Sequence, residues 1–112
     1  MIEVIIRKDK NGNYSDFSVS GHAGFAQAIN SEKDLVCASV SVLVINTINA
    51  LEKLTDIGMK VDSDEKKGVI ECKFSDVPNE SEKVLVDAMV LGISSIESEY
   101  GTRFCRLRFE EV

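Results

Sequence analysis

Alternation of apolar and polar residues opens the chain. Ile2, Val4 and Ile6 face one way and Glu3, Ile5 and Arg7 the other, which predicts a strand over 2–8. The cluster Asp9-Lys10-Asn11-Gly12-Asn13 carries the Asn-Gly hairpin signal, and 14–20 returns as a second strand with Phe17 and Val19 on one face. The period is then lost over 23–33, where Phe25, Ala26 and Ile29 are scattered among polar residues, as in a mobile loop. From 35 to about 54 the spacing is helical and apolar nearly all round, with Cys37, Ser41, Val44, Ile48 and Leu51 on one stripe. A second hairpin follows over 59–64 and 69–74, turning at Glu65-Lys66-Lys67-Gly68, with Ile70, Cys72 and Phe74 on one face. Asn79 and Glu82 form a capping pair for a helix that carries Leu85, Met89, Ile93, Ile96 and Tyr100 on one side and stops at Gly101. The segment 103–110 closes the chain as a strand, with Cys105, Leu107 and Phe109 opposite Phe104, Arg106 and Arg108. The order strand-strand-helix-strand-strand-helix-strand predicts an α+β fold, a largely antiparallel sheet with two long helices packed on it.

Length places all 112 residues in a single domain, with enough chain for one core. The uncharged run 35–51 is short for a membrane span and carries Ser39, Ser41, Asn46, Thr47 and Asn49, so it reads as a buried core helix with no membrane contact. The N-terminus is too charged for a signal peptide. A net charge of −6 argues against direct nucleic-acid binding and suits a basic protein partner. Three cysteines without CxxC pairing make no disulfide framework, which points to a reducing, cytoplasmic setting.

Against that background one constellation carries chemistry. The only histidine, His22, follows a strand-ending Gly21, and Cys37 lies at the start of the long helix. Asp34 reads as the N-cap of that helix, and a thiol in the first turn would feel the positive end of the helix dipole. A thiolate beside an imidazole is sufficient for nucleophilic catalysis, and the N–H of Cys37 is a candidate oxyanion donor. Asp34 stays open between cap, histidine orienter and substrate contact. Small residues near the thiol, Ser41 among them, would let a substrate approach closely. Cysteines in apolar helices are most often small core residues, and that reading stands for Cys72 and Cys105 on inward strand faces. One histidine and scattered cysteines lack zinc-ligand spacing.

The strand-ending Gly21-His22-Ala23, followed after a loop by Asp34-Leu35-Val36-Cys37-Ala38-Ser39-Val40-Ser41, resembles the bacterial ribosomal-processing cysteine protease family (Prp). The resemblance extends along the whole chain, to a late helix ending in Glu97-Ser98-Glu99-Tyr100. It implies a His22–Cys37 catalytic dyad, removal of the N-terminal extension of a large-subunit ribosomal protein precursor, and a homodimer without metal or organic cofactor. The chain departs from the family pattern at Glu32, where glycine is common, and in its longer His-to-Cys loop. With that loop as a lid closing on substrate, Phe25, Ala26 and Ile29 would cover an apolar peptide. The competing reading is a non-enzymatic ribosome-assembly or interaction module whose buried helix serves a dimer interface.

Overall fold

The computed structural model describes residues 1–21 and 31–112. Their elements follow the expected order: β1 (Ile2–Lys8), β2 (Tyr14–Ser20), α1 (Glu32–Leu54), β3 (Met59–Asp64), β4 (Val69–Phe74), α2 (Glu80–Tyr100) and β5 (Cys105–Glu111). The strands form one sheet in the order β3-β4-β2-β1-β5. Its neighbours are antiparallel except β1 and β5, which run parallel from Ile2 opposite Cys105 to Lys8 opposite Glu111.

Alternation decides the two faces of the sheet. Ile2, Val4, Ile6, Phe17, Val19, Ile70, Cys72 and Cys105 point inward and share one buried cluster with residues of both helices. On the outer face, Arg7 donates to Asp16 on β2 at 2.7 Å and to Glu110 on β5 at 3.1 Å, tying three strands together. Tyr14 breaks the alternation, since it is buried although it lies three residues before Phe17. The cause is a bulge: Arg7 pairs with Asp16 but Lys8 with Tyr14, so Ser15 is passed over and Tyr14 returns to the inner face. Its hydroxyl then donates to Asp87 of α2, which fastens that helix to the end of the hairpin.

α1 buries Val36, Cys37, Val40, Ser41, Val44, Thr47, Ile48 and Leu51. Among the described residues it is the one helix long and apolar enough to cross a membrane, yet this stripe is spent on the core. It begins at Glu32, three residues before the expected start. α2 starts with the anticipated capping box: Asn79 Oδ1 accepts the Glu82 N–H at 3.0 Å, and Glu82 Oε1 accepts the Asn79 N–H at 2.8 Å. The two helices meet at Gly92, where an added Cβ would lie 2.9 Å from Leu43 Cδ1. Val86, which the expected α2 stripe did not include, is fully buried, while Phe109, expected inward, is 56% exposed. Phe109 lies near the far end of β5, with Lys8 Nζ above its ring at 5.7 Å.

β5 is an edge strand, and α2 covers part of its outer edge. Glu97 Oε2 accepts the N–H of Leu107 at 2.6 Å, removing one of the donors that edge-to-edge pairing would use. Glu97→Ala is expected to leave that N–H without its partner and to cost about 1–3 kcal/mol of stability. Urea denaturation should record this as a lower midpoint with an unchanged slope; an unaltered midpoint would mean that water replaces the carboxylate at no cost.

Candidate active site

Two elements deliver the sequence-predicted residues. β2 ends at Ser20, and Gly21 then takes φ +79° with its Cα against the start of β1. A Cβ at Gly21 would sit 2.3 Å from the carbonyl oxygen of Met1, a backbone atom that has little room to retreat. Glycine is therefore dictated twice here, by conformation and by space. The next residue is His22, which lies outside the described residues, as do 23–30 and with them most of the expected lid. The remainder of the stretch is not loop. Ser31 is an extended cap residue, and Glu32 and Lys33 are already helical.

The start of α1 corrects the assignment of Asp34. Ser31 is the N-cap, and its Oγ accepts the N–H of Asp34 at 3.2 Å. Asp34 is thus the third residue of the helix, where its carboxylate faces the positive end of the backbone dipoles together with Glu32. The signal was present in the sequence, as Ser31-x-x-Asp34 immediately ahead of an apolar run. It was overlooked because Asp34 is the more familiar cap nearest to the apolar stripe.

The shift in helix start also relocates Cys37. It is the sixth residue of α1, in the second turn rather than the first. Its backbone N–H therefore belongs to the interior of the helix, bonded to the preceding turn, and is not available as the expected oxyanion donor. The side chain lies on the core stripe and is 7% exposed, whereas Cys72 and Cys105 are fully buried on β4 and β5. One turn on, the hydroxyl of Ser41 donates to the carbonyl of Cys37 at 2.8 Å, within the core. Ser41 thus braces the backbone of the nucleophile candidate through a local bond that serine makes readily in helices.

The other two thiols have electrostatic reasons to be inert. Burial, aided by the nearby charge of Asp16, pushes the Cys72 thiol up to about 12. Burial and the charge of Glu97 push that of Cys105 up to about 11. Among the described residues no group of three or more histidine, cysteine or acidic side chains is placed to hold a metal ion.

Comparison with known proteins bears directly on this arrangement. The family model described as cysteine protease Prp matches residues 1–104. The ribosomal processing cysteine protease Prp of Bacillus subtilis is 30% identical over 104 residues, spanning 89% of this chain and 90% of that protein. A crystal structure of an essential ribosomal processing protease Prp from S. aureus in complex with a substrate peptide superposes with a TM-score of 0.86 at 25% identity. It covers 98% of this chain and 100% of its own. A second S. aureus structure, with a covalently linked product peptide, gives a TM-score of 0.84 at 26% identity, with the same coverage.

Two outcomes follow from the geometry. Gly21→Ala is expected to lose about 1–3 kcal/mol, because the left-handed backbone and the Met1 contact both resist a side chain. A thermal melt indistinguishable from wild type would show that the Met1 end simply yields. In the folded protein at pH 8, iodoacetamide is expected to modify Cys37 first. Burial holds the Cys105 and Cys72 thiols in their protonated, less reactive form at that pH. Peptide mapping after partial labelling gives the order, and equal labelling of all three would contradict it.

Proposed function

The chain belongs to the cysteine protease Prp family, and we propose that it removes the N-terminal extension of a large-subunit ribosomal protein precursor with a Cys37–His22 dyad. The observation that carries this reading is the placement of Cys37, the one cysteine of the three that is not fully buried, near the start of a helix that the core holds on its buried side. The Gly-His step follows a central strand at a position that the Met1 carbonyl restricts to glycine. Gly21 and Ser41 are therefore positioning residues, one for the chain entering His22 and one for the backbone of Cys37.

In this mechanism Sγ of Cys37, as thiolate, attacks the scissile carbonyl to form a tetrahedral intermediate. Collapse breaks the C–N bond as imidazolium His22 gives its proton to the leaving amine, and a thioester to Cys37 remains. Water, losing a proton to His22, then attacks the thioester, releasing the new carboxyl terminus and restoring the thiolate. Asp34, in the first turn of α1, acts either by orienting the imidazole or by contacting the substrate. The chemistry requires no metal or organic cofactor. The net charge of −6 suits a basic ribosomal protein as substrate. The same reading has the enzyme working as a homodimer in the cytoplasm, with neither nucleic acid nor membrane as a direct partner.

The test is incubation with the ribosomal protein precursor from the same organism and mass analysis of the products. One new N-terminus is expected, with Cys37→Ser abolishing it while the fold, followed by circular dichroism, is retained. His22→Ala should reduce kcat by about 10²–10⁴-fold, the range of a lost general acid and base. Full cleavage by Cys37→Ser would remove the thiol from the mechanism.

A further inference from the structure

Two helices do not cover five strands. α2 lies against β5, α1 lies against α2, and the edge strand β3 extends past the helical layer at the opposite side of the sheet. A cleft of about 340 Å³ opens there between the second half of α1 and the β3–β4 hairpin. Ile48 of α1, Val61 of β3 and Ile70 of β4 line it, together with the acidic residues Glu52, Asp64 and Glu65. Val61 is opposite Cys72 in register, so it points to the helix side of the sheet, yet it is 41% exposed.

The two sheet edges are treated differently. At β5 the carboxylate of Glu97 takes a backbone N–H, whereas no described residue bonds the outer edge of β3. An extended peptide can add to such an edge, its backbone pairing with β3 and alternate side chains dropping into the cleft. The surroundings select its character. Apolar side chains suit Ile48, Val61 and Ile70, and basic ones suit Glu52 and Glu65, since the Asp64 carboxylate already accepts two N–H groups of its own turn. Glu52 is only weakly engaged by its neighbour Lys53, at 3.8 Å and largely exposed.

The elements that line the cleft are also tied to those that carry or precede the candidate site residues. Ile48 lies on the same stripe of α1 as Cys37, about 16 Å along the helix, a span that an extended chain covers in about five residues. Ile70 pairs with Val19, on the strand that leads through Gly21 into His22. We propose that this cleft and the open edge of β3 form a docking site for a second stretch of the substrate, an extended segment that turns both basic and apolar side chains toward the cleft, outside the residues that flank the scissile bond. This rests on the reading of the substrate as a basic ribosomal precursor and adds where its affinity comes from.

The probe is an octapeptide with valine and lysine taking turns at its odd positions and serine at its even ones, titrated into the intact protein and followed by amide chemical shifts. This binding assay stands even if the ribosomal precursor is not cleaved, so the two readings fail separately. Shifts confined to Val61, Val69, Ile70 and the Ile45–Glu52 turns of α1 are expected. Affinity should fall at least tenfold in Glu52→Lys/Glu65→Lys, both exposed positions, and in Val61→Asp. With the precursor, the charge-reversed protein should show KM raised about tenfold. Shifts spread elsewhere, affinity unchanged in both variants, or a loss confined to kcat would overturn the proposal. So would sedimentation showing that a second copy of the chain buries the cleft and is released by Val61→Asp.

Discussion

Burial of the α1 stripe is the constraint from which the remainder follows. Val36, Val40, Val44 and Leu51 are removed from water almost completely, and each such side chain contributes roughly 1.5–3 kcal/mol. That sum holds the helix against the sheet with little freedom to rotate, because turning it would expose the stripe and bury Asn46 and Asn49 instead. Cys37 belongs to the same stripe. Setting the thiol and building the core are therefore a single event, and any slippage of the helix that misplaced the sulfur would also be resisted by the core. A nucleophile held this way needs no dedicated scaffold beyond Ser41, which braces its carbonyl from one turn away.

At the end of β2 a different kind of constraint operates. Gly21 contributes no burial; it takes a left-handed backbone beside the Met1 carbonyl, where any side chain would collide. Packing seats Cys37 and steric exclusion keeps position 21 a glycine, so the two respond to different perturbations. Core repairs that stabilise α1 leave the exit from β2 untouched, and changes at the Met1 contact leave α1 seated.

Much of this was readable because several signals were local. Period-two alternation located β1 and β4, and the Asn79–Glu82 pair located the start of α2 to the residue. What could not be read depends on partners far away in sequence. Tyr14 changes face through a bulge defined by its pairing with Lys8. Phe109 has the right alternation for a core residue but occupies a part of β5 that the helices leave open. The parallel pairing of β5 with β1 is invisible in either strand alone. At the site, the Gly-His and Asp-Leu-Val-Cys segments were recognisable as a pair. The true cap at Ser31 was misjudged by three residues, and with it the turn on which Cys37 sits. A displacement that small reassigns the backbone donors around Cys37.

The parallel pairing has a consequence in time rather than in space. β1 is next to the edge on one side only because β5 lies there, with Ile2 opposite Cys105 and the N–H of Ile2 donating to Phe104 at 2.9 Å. That seam joins the first strand to the last, so nearly the whole chain must be present before it can close. Such long loops are slow to close, and until then β1 presents an unpaired apolar edge. During synthesis the hairpins and α1 can form in turn while that edge waits for residues 105–111. The interval between the emergence of β1 and the arrival of β5 is when this chain is most exposed to pairing with the wrong strand.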